Sequence, residues 1–325
     1  MKVTELEFYI EDFLTFCQNK NLSSKTIASY EQSLKLFFAY LKKEHEVYTV
    51  KQVKTGHIRQ YVSFVQARGK YTVVNRESSK QINFPENRTD YKKQVSPITI
   101  NNYIRNIKVF FNWLQQEGEL VKNPVDKISQ IKTVRRQKKG INSEEFNRLL
   151  EQFDYTKFHG YRNKIIVLLI QDTGMRIGEC LDIVVDAFDF KHNMILLTKT
   201  KGNKERYVYF SSVMQRELKQ YLKFKDRYVE TNLLFPTSKG TTLTVHSFEK
   251  QLRDAGKNVG IEVHPHQLRN NFARQYLLNG GDFYTLSRIL GHSSVTVTEQ
   301  AYMDLTREEI AKKYQNHSPL SKWRL

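Results

Sequence analysis

A chain of 325 residues is long enough for two compact domains, each burying its own core. With 39% hydrophobic and 26% charged residues, 14 Gly and 6 Pro, the composition excludes a disordered tract and a collagen-like repeat, and no apolar run is long enough to span a membrane. Fifty-two Lys and Arg against 34 Asp and Glu leave a net charge of +18, which calls for a polyanionic partner and points to nucleic acid.

The N-terminus "MKVTELEFYIEDF" is acidic and amphipathic, without the basic and then apolar regions of a signal peptide, so a cytoplasmic protein is expected. After "NLSSKT", where Ser23 or Ser24 can cap, Ile27, Tyr30, Leu34, Phe37, Phe38 and Leu41 recur at helical spacing and mark one apolar face. Arg68 to Lys93 has no sustained period, seven basic residues and three acidic ones, and reads as a long loop or small hairpin, either an insertion contacting DNA, the favoured reading, or a mobile surface loop. A helix then starts at "SPITINNYIRNIKVFFNWLQQEG". Ser96 is its N-cap, Pro97 its first residue, Ile100, Ile104, Ile107, Phe111 and Leu114 its apolar stripe, and Gly118 its end. The next stretch, "NPVDKISQIKTVRRQKKGINSEEF", reads as a linker. Its basic residues Lys132, Arg135, Arg136, Lys138 and Lys139, with Arg105 on the preceding helix, are expected on the phosphate backbone of DNA. Asn142 and Glu145 form a capping box that opens the following helix, and the domain boundary falls near residue 137.

Beyond the boundary the chain is mostly helical. One apolar helix covers Ile165 to Gln171, and "MILLTKTKGNKERYVYF" predicts a β-hairpin turning at Gly202 and Asn203, with Lys201 at its tip and Lys204 beside it. The expected fold is therefore mainly α with a small β-hairpin or sheet. It comprises a helical domain over 1–136, carrying an insertion at 68–95, and a mixed α/β domain over 137–325 ending in a tail at 303–325. Cys17 and Cys180 form no CxxC pair, so neither a disulfide framework nor a thiolate metal site is indicated.

Three segments of the second domain carry chemistry. "DTGMRIGECLDI" puts Arg176 at a helix junction, and "HPHQLRNNFARQ" sets His266 and Arg269 on one face if it is helical. "LGHSSVTVTEQAY" supplies His292 and Tyr302. Singly these are ordinary residues; together they are what phosphoryl transfer without a metal requires. Guanidinium groups clamp the non-bridging oxygens of a phosphodiester, and a lysine can protonate the leaving oxygen. A phenol with a pKa near 10 is only about a thousandth ionised at neutral pH, so a tyrosine nucleophile needs cations or a base beside it.

"TGMRIGE", "TKGNKER", "HQLR", "LGHSS" and the later "AY" occur in one order through residues 140 to 305, and in this they resemble the tyrosine recombinase (phage integrase) family. The helical region 1 to 120 is similar to the family's N-terminal core-binding domain. The resemblance implies that Tyr302 attacks the scissile phosphate and leaves a 3′-phosphotyrosyl ester, with Arg176 and Arg269 on the non-bridging oxygens and His292 assisting. It makes Lys201 the general acid and His266 the base toward the tyrosine, with no metal or cofactor. It further implies two domains clamping double-stranded DNA at specific sites, and a homo-tetramer on two DNAs joined through the tail. Where family members often read HxLRH, Asn270 follows Arg269 here.

Core-binding helices that begin almost at Met1 leave no room for an arm-binding domain, and the insertion fits a minimal chromosome-dimer resolvase poorly. An integrase, transposase or cointegrate resolvase of a mobile element is expected. The alternatives are a type IB topoisomerase, a non-catalytic DNA-binding regulator on the same scaffold, and a metal hydrolase using His264 and His266.

Overall fold

The computed structural model describes residues 4–73, 84–133, 140–198, 205–292 and 294–302, with Ala311, Tyr314, Gln315 and Ser318 further on. The chain folds as two compact units, Met1–Arg136 and Gln137–Leu325.

The first unit is helical among its described residues: α1 (Glu5–Asn19), α2 (Ser24–His45), α3 (Thr55–Arg68) and α4 (Pro97–Gln116). Each start except that of α3 has a side-chain cap. Thr4 and Glu7 close a capping box on α1, the Ser23 hydroxyl accepts from the Thr26 N–H, and Ser96 accepts from Thr99 with Pro97 at the first position. The expected stripes face inward: Leu34, Phe37, Phe38 and Leu41 are buried, as are Ile100, Ile104, Ile107, Phe111 and Leu114. Ile27 and Tyr30 pack at the edge of the same core. Phe13 meets Phe110 edge to face with centroids 5.4 Å apart, the arrangement that aligns ring edge with ring face. Buried Asn106 on α4 donates to the Ser29 carbonyl and the Ser33 hydroxyl of α2, giving the two helices a polar register mark inside an aromatic core.

One expectation needs revision here. The stretch from Asn123 is not a free linker at its start. Val125 is fully buried and Ile128 nearly so, Asn101 exchanges two hydrogen bonds with the backbone of Ile131, and Lys108 Nζ donates to the Ile128 carbonyl. Pro124 and the basic run that follows make the stretch read as a linker, yet its apolar residues pack on the core of the first unit. The segment after α3 is closed at its base, where the Lys70 N–H donates to the Lys93 carbonyl and the Lys92 N–H to the Lys70 carbonyl. Arg88 lies over the Tyr71 ring at 4.3 Å and bridges to Asp90, which also meets Lys70. The remainder of that insertion, 74–83, lies outside the described residues.

The second unit contains α5 (Ser143–Leu150), α6 (Phe158–Thr173), α7 (Ile177–Leu181), α8 (Ser212–Lys225), α9 (Val245–Asn258), α10 (Pro265–Leu278), α11 (Phe283–Leu290) and α12 (Val295–Tyr302). Asn142 and Glu145 form the expected capping box on α5. The apolar stretch from Ile165 is the heart of α6, a central helix packed against α8 and α10, with Ile165, Ile166, Val167, Leu169 and Ile170 all inaccessible. The sheet has three antiparallel strands in the order β1 (Phe188–Asp189), β2 (Met194–Leu197), β3 (Arg206–Tyr209), one strand more than the expected hairpin. In the β2–β3 register Leu197 faces Arg206 and Ile195 faces Val208. The turn expected at Gly202 and Asn203 lies outside the described residues.

Gly174 ends α6 at φ +67°, and a Cβ there would stand 2.2 Å from the Phe272 ring of α10. Helix exit and helix packing thus both require the absent side chain. Gly174→Ala is expected to destabilise the second unit by about 3 kcal/mol, the sum of a left-handed alanine and an overpacked contact, read as a lowered urea midpoint.

Candidate functional site

The turn closed by Gly174 sets Arg176 at the N-cap of α7 with extended backbone. Glu179, three residues on, accepts the Arg176 backbone N–H at 2.8 Å and its Nη1 at 2.9 Å, so the residue that opens the helix also has its guanidinium tied to it. The Arg176 side chain is about a third exposed (32%), whereas Glu179 is buried at 6%.

A second guanidinium holds the same carboxylate. Arg206, the first residue of β3, donates from Nη1 and Nη2 to the two Glu179 oxygens at 2.9 and 2.7 Å and from Nε to the Ile289 carbonyl at 3.2 Å. Burial alone would raise the Glu179 carboxyl; the Arg206 side chain, then the Arg176 backbone N–H, outweigh it and hold the group below the ordinary carboxylate range. Glu179 therefore stays charged between two cations.

α10 brings up the next members. Pro265 occupies its first turn and the His264 ring accepts the Gln267 N–H through Nδ1 at 3.1 Å, so that imidazole serves as a helix cap. His266 is exposed at the second position of the helix, one turn before Arg269. Arg269 is buried at 3%: its Nη1 donates to the Gly174 carbonyl and its Nη2 to the Leu290 carbonyl, both at 2.7 Å. It joins the ends of α6 and α11, which are 116 residues apart in the chain (290 minus 174). A guanidinium carries five N–H donors, so two backbone carbonyls do not exhaust it.

His292 follows the left-handed Gly291 that ends α11. Its Nε2 lies 3.2 Å from Arg269 Nη2 and its Nδ1 2.7 Å from the Thr298 hydroxyl. Because the guanidinium only donates, Nε2 must accept, which leaves the proton on Nδ1, directed to Thr298. Burial first, then the positive fields of Arg269, Arg176, Arg206 and His266, push the His292 pKa down to about 4. The imidazole is neutral at neutral pH, and it is surrounded by the cations that lower it.

Of the expected site residues, Arg176, Arg269 and His292 thus come together, with His266 close enough to act on the histidine. Tyr302 ends α12, one turn after Thr298; nothing of its side chain is described. Lys201, Arg135, Arg136, Lys138, Lys139 and most of the tail lie outside the described residues, while Arg105 and Lys132 are exposed on the first unit. Two residues escaped the sequence reading. Glu179 was visible as the N3 acid of a capping box behind Arg176. Arg206 was visible as a charge sharing the alternation of buried Val208, while Tyr207 and Tyr209 face out.

No group of three or more His, Cys, Asp or Glu side chains is arranged to hold a metal, and no helix is long and apolar enough to cross a membrane, among the described residues.

Residues 139–309 match the sequence model of the Phage integrase family, and residues 10–81 that of its N-terminal SAM-like domain. Among curated proteins the chain is 27% identical to "Tyrosine recombinase XerC" of Oceanobacillus iheyensis over 98% of both chains. It is 26% identical to "Tyrosine recombinase XerD" of Listeria monocytogenes over 95% of this chain and 98% of that one. Among solved structures, the integrase of transposon Tn1549 in complex with transposon right end DNA superposes with a TM-score of 0.70 at 16% identity, covering 97% of this chain and 99% of that one. XerH recombinase bound to its difH substrate gives a TM-score of 0.65 at 22% identity over 95% and 83% of the two chains. These structural likenesses establish the shared fold.

The depressed His292 fixes a pH dependence of stability. Between the ordinary histidine value near 6.5 and about 4, the unfolded chain binds a proton that the folded chain refuses, so this contribution is complete above 6.5 and is lost as pH falls through that window. In urea unfolding at pH 7 and pH 4.5, the wild type is expected to lose more stability on acidification than His292→Gln. Equal losses would mean that the imidazole is not held neutral.

Proposed function

The chain belongs to the phage integrase family, the tyrosine recombinases, which break and rejoin DNA strands, and from that premise we propose that it is a site-specific recombinase working through a 3′-phosphotyrosyl intermediate on Tyr302. The observation that carries the reading is the meeting of three separate chain segments at one cationic site: Arg269 is hydrogen-bonded to His292 and to the carbonyl of Gly174, two residues before Arg176, and the charge of Arg176 bears on the same imidazole.

In the proposed reaction the Tyr302 oxygen attacks the scissile phosphorus, its proton passing to His266. The P–O bond to the 5′ side breaks, and the departing oxygen takes a proton from Lys201. Arg176, partly exposed, and Arg269 neutralise the two non-bridging oxygens as negative charge gathers on them. Neutral His292 supports that arrangement through its lone pair on Nε2. The ester conserves the bond energy, and the 5′-hydroxyl of the partner strand reverses the step, so neither metal nor cofactor takes part. A rigid cluster built on helix ends suits this task, since a polar site organised before the substrate arrives needs little rearrangement in the transition state.

The partner is double-stranded DNA, engaged by both units, with exposed Arg105 and Lys132 and the basic stretch Arg135, Arg136, Lys138 and Lys139 on its phosphates; the setting is the cytoplasm. Strand exchange requires four protomers on two DNAs, joined through the tail after Tyr302. For the biological role, full-length likeness to relatives named XerC and XerD favours resolution of chromosome dimers over integration of a mobile element. The mobile-element reading is the second one, and a type IB topoisomerase stands as the competing enzyme.

On a nicked suicide substrate carrying the recombination site, the wild type is expected to form a protease-sensitive covalent adduct, undiminished in chelator, and Tyr302→Phe none. Adduct in both proteins, or in neither, removes the assignment. Relaxation of plasmids that lack paired sites would favour the topoisomerase, and mapping the covalent cuts on DNA flanking the gene separates a chromosomal site from the ends of a mobile element.

A further inference from the structure

An acid beside a phosphate-binding arginine is a liability, because its charge repels the ligand that the arginine must attract. Glu179 is such an acid: buried at 6% and bonded to Arg176 Nη1 at 2.9 Å. Alone with Arg176 it would form a neutral pair. Arg206 alters that sum. Its terminal nitrogens take both Glu179 oxygens, so the trio carries a net positive charge, and the bidentate fork fixes the plane of the carboxylate that Arg176 leans on.

Arg206 itself is poorly placed to bind DNA. Its side chain is 12% exposed, and Nε, Nη1 and Nη2 are all engaged. The Nε bond runs to the Ile289 carbonyl, three residues before His292, and the intervening Gly291 would put a Cβ 2.9 Å from Arg206 Cδ and Nε. The guanidinium therefore packs into the turn that delivers the histidine. One residue of β3 thus touches the supports of two different members of the cluster.

We propose that Arg206 is a positioning residue for strand cleavage: by clamping Glu179 in a two-oxygen fork against the Gly291 turn, it orients Arg176 toward the scissile phosphate and keeps the Arg176–Glu179 pair from cancelling. It acts through Arg176 and does not contact the DNA. This inference rests on the recombinase reading given above.

The test compares cleavage of the suicide site with a normal phosphate and with a methylphosphonate at the scissile position, where a methyl group replaces one non-bridging oxygen and removes its negative charge. Arg206→Met is expected to slow adduct formation on the normal phosphate on the order of 100-fold, the cost of misplacing a catalytic contact by about an ångström. On the methylphosphonate, where there is less charge for Arg176 to neutralise, the variant should come within a few-fold of the wild type. Arg206→Lys, which keeps the charge but not the fork, should fall between the two on the normal phosphate. It also serves as the test protein if Arg206→Met fails to fold by its thermal transition. Loss of equal size on both substrates by a folded variant would mean that Arg206 merely supports the fold, and no loss on either would deny it any part; each overturns the inference. If the wild type itself forms no Tyr302 adduct, it is the recombinase reading that falls.

Discussion

The second unit is organised by one carboxylate held between two guanidinium groups. Glu179, buried among Arg176 and Arg206, accepts from a backbone N–H and both side chains, and so binds the start of α7 to the start of β3. A charge that deep is tolerated only when its oxygens are satisfied, and here each of them is. The reverse also holds. Three arginines, counting Arg269, bear on one histidine, and Glu179 relieves the repulsion between the two that it bonds, Arg176 and Arg206. Burial, reinforced by the positive field left over, keeps His292 neutral, and that field is suited to a phosphodiester.

Around that centre the geometry comes from chain reversals more than from regular structure. Gly174 and Gly291 both take left-handed conformations at helix ends, and both lie where a Cβ would strike another element, Phe272 in one case and Arg206 in the other. Helix ends also supply free carbonyls, and Arg269 collects two of them, at Gly174 and Leu290. Backbone acceptors that would otherwise lie buried without partners thus become the fixtures of a cationic site. The first unit is built differently, around an aromatic core marked by a few buried polar residues, Ser33, Asn106 and Asn123, with no comparable buried charge cluster among its described residues.

What the sequence disclosed and what it hid follow from the same physics. Periodicity exposed α4 and α6, because an amphipathic or wholly apolar helix repeats its signal over many residues, and cap chemistry marked Ser96 and Asn142. Local motifs brought out Arg176, Arg269 and His292. Hidden were relations at long range. That Arg206 pairs with Glu179 depends on strand register and on a contact 27 residues apart, which no window of sequence contains. The stretch from Asn123 to Ile131 read as linker because Pro124 breaks the helical pattern and a basic run follows, and only the packing of Val125 and Ile128 in the core reveals their use. The strand added to the hairpin, β1, is two residues long and has no pattern to detect.

The neutral state of His292 links this cluster to the last described helix. With Nε2 accepting from Arg269, the only proton of the ring points along Nδ1 to the Thr298 hydroxyl, and Thr298 is wholly buried within α12. α12 is eight residues long, too short to hold its place by intrinsic stability, so its position must come from such contacts. Tyr302 closes that helix one turn further on. In the proposed mechanism the nucleophile therefore belongs to the element that the histidine tethers. A change that protonated His292 would break the acceptor contact to Arg269 and add a cation to three already present. The same imidazole that accepts from an arginine on one edge secures, on the other, the helix that carries the tyrosine, so phosphate binding and nucleophile placement share a single ring.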